Sequence, residues 1–160
     1  MRYAHARAAR LGVPVHFMQA NAEETDFPDN SFDFVYSSAV LHETSAKALP
    51  RILAECRRVL RQGGVMIHLE VPLRAETADS YELISADYET RFNNEPFWMG
   101  AVSAHYAALA KQAGFTESHA GFQDAAFGSP QRDKVKGMFG NENKGAHKSW
   151  YIASARKPRP

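Results

Sequence analysis

Several small groups of side chains have types and placements that suit chemistry. His42 and Glu43 stand just beyond an apolar stretch, Phe32 to Val35, that stops at Ser37 and Ser38. An imidazole, with a reference pKa near ~6.5, can take a proton from a substrate hydroxyl or amine. A histidine that only packs or orients a loop is the plainer alternative, and Glu43 then reads as a helix-start acid. Asn21-Ala22-Glu23 follows a second apolar stretch, Val15 to Met18. The Asn21 amide oxygen can accept a hydrogen bond, although asparagine also serves simply as a turn residue. Ser37 and Ser38 offer hydroxyls where a strand-end turn would equally place them. Glu70 nears the end of the run Val65 to Val71, at a position that can face a substrate. Phe97 and Trp98 fall in a turn, where large aromatics can cover an apolar or planar ligand. The lone cysteine, Cys56, makes neither an internal disulfide nor a metal cluster, and no metal site is expected.

The elements that position these residues follow from periodicity and punctuation. Met1, Ala4, Ala8 and Leu11 share a helical face ahead of Gly12, so a helix is expected over 2 to 11. Strands are expected over 14 to 19 and 32 to 37. Leu49, Ile52, Leu53, Cys56, Val59 and Leu60 form the apolar side of a helix. Pro50 moves its regular start toward Leu49. Arg57, Arg58 and Arg61 suit its last turn and Gly63-Gly64 its end. A strand over 65 to 71 follows, apolar enough to be covered on both faces. Asp79 with Glu82 has the form of a capping box for a helix carrying Tyr81, Ile84, Tyr88 and Phe92. Packing explains Tyr81, Tyr88 and Phe92, while Phe97 and Trp98 are the better lid residues. Ser103 is a cap candidate for a helix that buries Tyr106, Leu109, Ala110 and Ala113 and ends at Gly114. A strand is expected from Phe115 to Ala126, a loop over 131 to 148, a last strand from Ser149 to Ala155, and a frayed tail from Lys157 to Pro160. The order is that of an α/β domain. One domain spans 1–160, with 73–100 as a lid-like insertion.

Taken in order, several of these pieces resemble a known family. They are Asn21-Ala22-Glu23, Phe27-Pro28-Asp29-Asn30-Ser31-Phe32-Asp33-Phe34-Val35, Val40-Leu41-His42, and Glu55 with Arg58-Val59-Leu60-Arg61-Gln62-Gly63-Gly64. Together they look like the second half of a class I S-adenosylmethionine (SAM) dependent methyltransferase, closest to the small-molecule branch that includes the ubiquinone and menaquinone methylases. Ala113-Gly114-Phe115 fits the same pattern, and the resemblance runs from Met1 to about Phe115. It implies a Rossmann-like α/β sheet, SAM as cofactor and methyl transfer to a small molecule. It also implies that Asn21, Ala22 and Glu23 lie on the adenine side of the cofactor. Asn21 stands where the family usually has an aspartate that accepts from the adenine amino group. Ser37 and Ser38 fall at the methionine end, and His42 near the reacting methyl group. Glu70, Phe97 and Trp98 would face the substrate.

The family's opening glycine-rich turn and the strand-end acid that holds the ribose hydroxyls have no counterpart in this sequence. Gly137, Gly140 and Gly145 come late and lack a preceding strand. The resemblance therefore implies an N-terminally incomplete sheet, lacking two strand-helix units of roughly 60 residues. The missing strands belong between Val15 and Phe34, so the strand at Val15 should lack its partner. A clipped gene model, a true half completed by another chain, and a rearranged fold all accommodate this. A non-catalytic half that completes or regulates a partner is the alternative function.

Composition narrows the classes further. The 160 residues suffice for one core, and the net charge of +1 argues against nucleic acid as a partner. The Lys134 to Lys148 cluster reads as a solvated loop. No apolar run reaches the ~20 residues of a membrane span. Arg2, Arg7 and Arg10 raise a transit peptide as an alternative to the first helix, but cytoplasmic placement is expected. A homo-oligomer is compatible with all of this.

Overall fold

The strand Leu60–Glu70 (β2) is the centre of the architecture, and its side chains show why. Met66, His68 and Glu70 alternate inward while Val65, Ile67 and Leu69 are only half-buried on the other face. The computed structural model describes residues 1–70, 80–124 and 149–160. Its elements are α1 (Arg2–Leu11), β1 (Phe32–Ser38), a 3-10 turn (Leu41–Glu43), α2 (Ala48–Val59), β2, α3 (Ser80–Phe92), α4 (Trp98–Val102), α5 (Tyr106–Gln112), β3 (Thr116–Asp124) and β4 (Ser149–Arg156). The four-stranded sheet has the order β1-β2-β4-β3. β1 runs parallel to β2, and β4 is antiparallel to both β2 and β3.

One face of this sheet carries the core. Leu49, Ile52, Leu53 and Cys56 of α2 meet Met66 of β2, Tyr106 and Ala110 of α5, Phe115, and Ala153 and Ala155 of β4. The α2 residues recur at helical spacing, so the apolar stripe read from the sequence is the buried one. Each such large side chain contributes about 1.5–3 kcal/mol by leaving water. Pro50 is accommodated in the first turn of α2, where its missing N–H has no intrahelical acceptor. Burial in this core pushes the Cys56 thiol up to about 12, so it behaves as a small apolar group.

Several expectations need correction. The segment 14–19 has no regular secondary structure and, among the described residues, pairs with no strand. Val15 is 41% and Met18 52% exposed, and the chain there leans on α1, where His5 Nε2 lies 2.7 Å from the Phe17 carbonyl oxygen. An alternating apolar pattern becomes a strand only when a neighbour supplies the ladder. β1 ends the sheet order, and among the described residues no strand pairs with its outer edge. Phe34 and Tyr36 of β1 accordingly stack on each other, each more than half exposed.

Gly63-Gly64 does not end α2. The helix stops at Val59, and Leu60 already has extended geometry. The glycines lie inside β2, where Phe32 pairs with Leu60 and Phe34 with Val65, so two steps on β1 oppose five on β2. A bulge of that size needs residues without side chains. Gly63 has φ +78°, and a Cβ on Gly64 would stand 2.9 Å from the Arg61 carbonyl oxygen and 3.1 Å from that of Asp33.

The C-terminal tail is also anchored. Lys157 is 5% exposed, and its Nζ donates to Asn30 Oδ1 (2.9 Å) and the Leu60 carbonyl (2.7 Å). A lysine ammonium can be buried this way because two of its three donors find acceptors close at hand.

Tyr81, Tyr88 and Phe92 of α3 are exposed, contrary to a packing role. Among the described residues α3 packs chiefly on the short α4, through Ala86 against Ala101 and Trp98. Ser103 closes α4 by donating to the Met99 carbonyl rather than capping α5, whose N-cap is His105. Asp79, Val71 and the expected loop over 131 to 148 lie outside the described residues. Among the described residues no helix is long and apolar enough to cross a membrane.

The bulge yields a test. Gly64→Ala should lower stability by about 1–3 kcal/mol in urea denaturation, since the obstructing atoms are backbone oxygens. Gly121→Ala, whose Cβ meets nothing within 4 Å, should change it by less than ~1 kcal/mol.

Candidate functional site

Two parallel strands bring their carboxyl ends to the same edge. Ser37 pairs with His68 and Ser38 with Leu69, and Ala39 then turns the chain with φ 53° while its N–H donates to the Leu69 carbonyl. This sets the 3-10 turn Leu41–Glu43 directly over the end of β2, where Glu70 sits. In open α/β sheets this edge is where ligands bind.

Glu70 is 1% exposed and its carboxylate is fully employed. Oε1 accepts from the N–H of Val40 (3.0 Å) and of Leu41 (2.7 Å). Oε2 lies 2.8 Å from His42 Nδ1. Since a carboxylate only accepts, the Nδ1 of His42 carries the hydrogen and Nε2 presents its lone pair. His42 is itself buried, and its ring meets Trp98 edge to face at 5.2 Å. Its Nε2 lies 3.6 Å from Glu43 Oε1, beyond hydrogen-bond distance. The packing of α4 on the 3-10 turn is what delivers Trp98, and the turn before it delivers Glu95.

Beneath this cluster, His68 Nδ1 lies 2.7 Å from Ser37 Oγ, while its Nε2 is buried with no hydrogen-bond partner. Burial lowers the His68 pKa to about 4, against a smaller upward pull from Glu70, so the ring is neutral near pH 7. The Tyr106 hydroxyl is similarly enclosed without a partner, and burial raises its pKa, helped by Glu70 and Tyr151.

A cavity of about 370 Å³ opens beside β1, lined among others by Ala22, Phe27, Val35, Ser37, Val40 and His68. Its outer wall, the connection from 21 to 31, is fastened to α2 by Glu55 and Arg58. Arg58 Nε and Nη2 grip the two Glu55 oxygens at 2.8 and 2.7 Å, and Nη1 reaches Asp29 at 2.6 Å. The Thr25 N–H donates to Glu55 Oε1 at 2.8 Å. The hydrogen bonds from Arg58, with those from Thr25, hold the Glu55 carboxyl down at about 2 despite its burial. The sequence suggests only an intrahelical pair here; Thr25, thirty residues away, is what turns that pair into an anchor.

The sequence-expected residues thus divide into groups. Ala22 and Ser37 share the cavity. Asn21 is exposed beside it, and its Oδ1 accepts from the Glu23 N–H at 3.0 Å. Glu23 pairs with Arg51 at 3.0 Å. Ser38 is exposed at the strand end. His42, Glu70 and Trp98 form the second group, with Phe97 at its rim, 39% exposed. Glu70 is engaged by His42 and two backbone donors. His68, Tyr106 and Glu95 were not singled out, because only strand register and the α4 packing bring them near.

The sheet order and strand directions are those of Rossmann-like methyltransferases, and solved structures bear this out for the fold. The YcgJ protein of Bacillus subtilis superposes with a TM-score of 0.60 at 15% identity, covering 99% of this chain and 78% of that one. A SAM-dependent methyltransferase of Methanosarcina mazei gives 0.59 at 17% identity, covering 99% and 77%. Residues 1–68 match the methyltransferase domain family. The ubiquinone/menaquinone biosynthesis C-methyltransferase UbiE of Hahella chejuensis is 40% identical over 46% of this chain and 30% of its own length. An uncharacterized methyltransferase of Synechocystis is 30% identical over 68% of this chain and 50% of its own. These matches liken the chain to class I SAM-dependent methyltransferases, UbiE enzymes among them. It spans between 30% and 50% of the length of these two curated relatives.

The low pKa of His68 has a measurable consequence. Folding lowers it from 6.5 to about 4, so its neutral form favours the native state in full above pH ~6.5. That contribution is lost as pH falls from 6.5 toward 4, on the order of 3 kcal/mol. Urea titrations at pH 7 and pH 4.5 should show a smaller loss of stability in His68→Asn than in the parent; equal losses would contradict the assignment.

Proposed function

We propose that the protein transfers a methyl group from SAM to a small hydroxyl-bearing ring compound, with His42 as the proton acceptor. The observation that carries this reading is the Glu70 hydrogen bond to His42 Nδ1, which leaves Nε2 as a fixed lone pair at the ligand edge of the sheet. The UbiE relatives, ubiquinone/menaquinone biosynthesis C-methyltransferases, suggest a reduced quinone as the substrate class. They also favour an enzyme over a non-catalytic half.

The side chains fit one end of the cofactor. The apolar walls of the cavity, with Phe27, Val40 and Leu41, suit a planar base, and Ser37 and the Asn21 amide supply polar contacts at its margins. Ala22, Glu23 and Ser38 border the same region. Among the described residues no glycine-rich turn and no strand-end acid is placed for the rest of the molecule. When bound, the cofactor supplies an electrophilic methyl group.

The chain's own residues then do the following. Glu70 positions the imidazole. His42 Nε2 accepts the hydroxyl proton, which raises electron density on the substrate ring. Trp98 and Phe97, on the segment that packs over the 3-10 turn, cover the ring and exclude water. Glu70 is a positioning residue here and His42 the catalytic one. Cytoplasmic placement suits this reading.

With SAM and a reduced benzoquinone or naphthoquinone as acceptor, S-adenosylhomocysteine formation should be detectable. His42→Gln should lower kcat about 10²–10⁴-fold with little change in KM for SAM. An unchanged kcat in His42→Gln would remove His42 from the chemistry.

A further inference from the structure

We propose that His42, Glu43 and Glu95 form a binding site for a divalent cation of the zinc type. The inference stands on side-chain geometry and does not depend on methyl transfer. One donor atom from each of the three residues lies within 4.8 Å of the others. His42 Nε2 and Glu43 Oε1 are already 3.6 Å apart. Donors placed ~2.0–2.1 Å from a tetrahedral zinc ion are roughly 3.3 Å from one another. The set therefore needs to contract by up to about 1.5 Å, which side-chain torsions supply.

Three further features point to a cation. First, the His42 Nε2 faces Glu43 Oε1 at 3.6 Å, just beyond hydrogen-bond distance. Second, Glu95 Oε2 is shut off from solvent with no hydrogen-bond partner. A carboxylate oxygen left so is costly unless something positive meets it. Third, Glu70 holds the opposite nitrogen of the same imidazole at 2.8 Å. A carboxylate on the far nitrogen is the usual support of a metal-bound histidine, since it fixes the tautomer and makes the ligating nitrogen more basic.

The placement of the three ligands is firm where it must be and adjustable where it can be. The 3-10 turn fixes His42 through the Glu43 N–H to the Val40 carbonyl and the two backbone bonds to Glu70. Glu95 is set by its own N–H to the Glu89 carbonyl and by the Trp98 N–H to its carbonyl. The Glu43 side chain is 54% exposed and free to swing in. One nitrogen and two carboxylate oxygens favour zinc and its neighbours over magnesium or calcium, which take oxygen alone. Three protein ligands leave a fourth position for water or a ligand. Occupancy takes the nitrogen that the proposed mechanism uses as its base, so cation binding and proton transfer exclude each other.

Isothermal titration of the full chain with Zn²⁺ tests this, with Mg²⁺ as the contrasting ion. One zinc per chain is expected, weakened about tenfold or more in both Glu43→Gln and Glu95→Gln. His16→Gln, an exposed histidine elsewhere, should bind like the parent. Glu43 is exposed, so its variant keeps the test valid even if others fold poorly. Absence of zinc binding, or binding that neither glutamate substitution alters, would overturn the proposal.

Discussion

The carboxylate of Glu70 is the point on which the candidate site depends. It is buried at the end of β2, and three donors from the Val40–His42 segment converge on it. Two of those donors are backbone N–H groups at the start of a short helical turn, which would otherwise be unsatisfied. The third is the ring nitrogen of His42. One residue thereby ties the exit of β1 to the end of β2, sets the tautomer of His42 and seats the turn against which α4 packs. Removing the side-chain carboxyl group would leave those donors without their acceptor, which costs more than any single contact it makes.

Around that point the sheet is covered unevenly. α2 and α5 bury one face, where the core residues lie. On the other face Val65, Ile67 and Leu69 are half-buried, and Phe34 and Tyr36 of β1 are exposed. The segment 14–19 stands apart, without regular secondary structure and with Val15, Phe17 and Met18 exposed. The cavity beside β1 opens into the same region, so its volume reflects the uncovered edge as well as any ligand space.

Local pattern made α1, β1, α2 and β2 legible, because helical stripes and apolar runs are properties of neighbouring residues. It misplaced features that rest on distant partners. Segment 14–19 has a strand's composition but no ladder. Gly63-Gly64 has a helix terminator's composition but serves a bulge dictated by Asp33 on the adjoining strand. Lys157 looks like a tail residue until Asn30, far away in sequence, accepts from it. The site shows the same division. His42 was legible from its place after a strand. The hydrogen bond to Glu70 was not, since it follows from strand register and a left-handed turn at Ala39. Glu95 carried no signal at all in its polar turn.

The account turns on which nitrogen of His42 holds the proton. Long-range ¹⁵N–¹H correlation spectra of histidine-labelled protein near neutral pH report this directly, with the His42 signals assigned by their loss in His42→Gln. The geometry predicts a proton on Nδ1, the nitrogen that faces Glu70. A ring protonated at Nε2 with a bare Nδ1 would contradict it, because no acceptor nitrogen would then face the ligand edge.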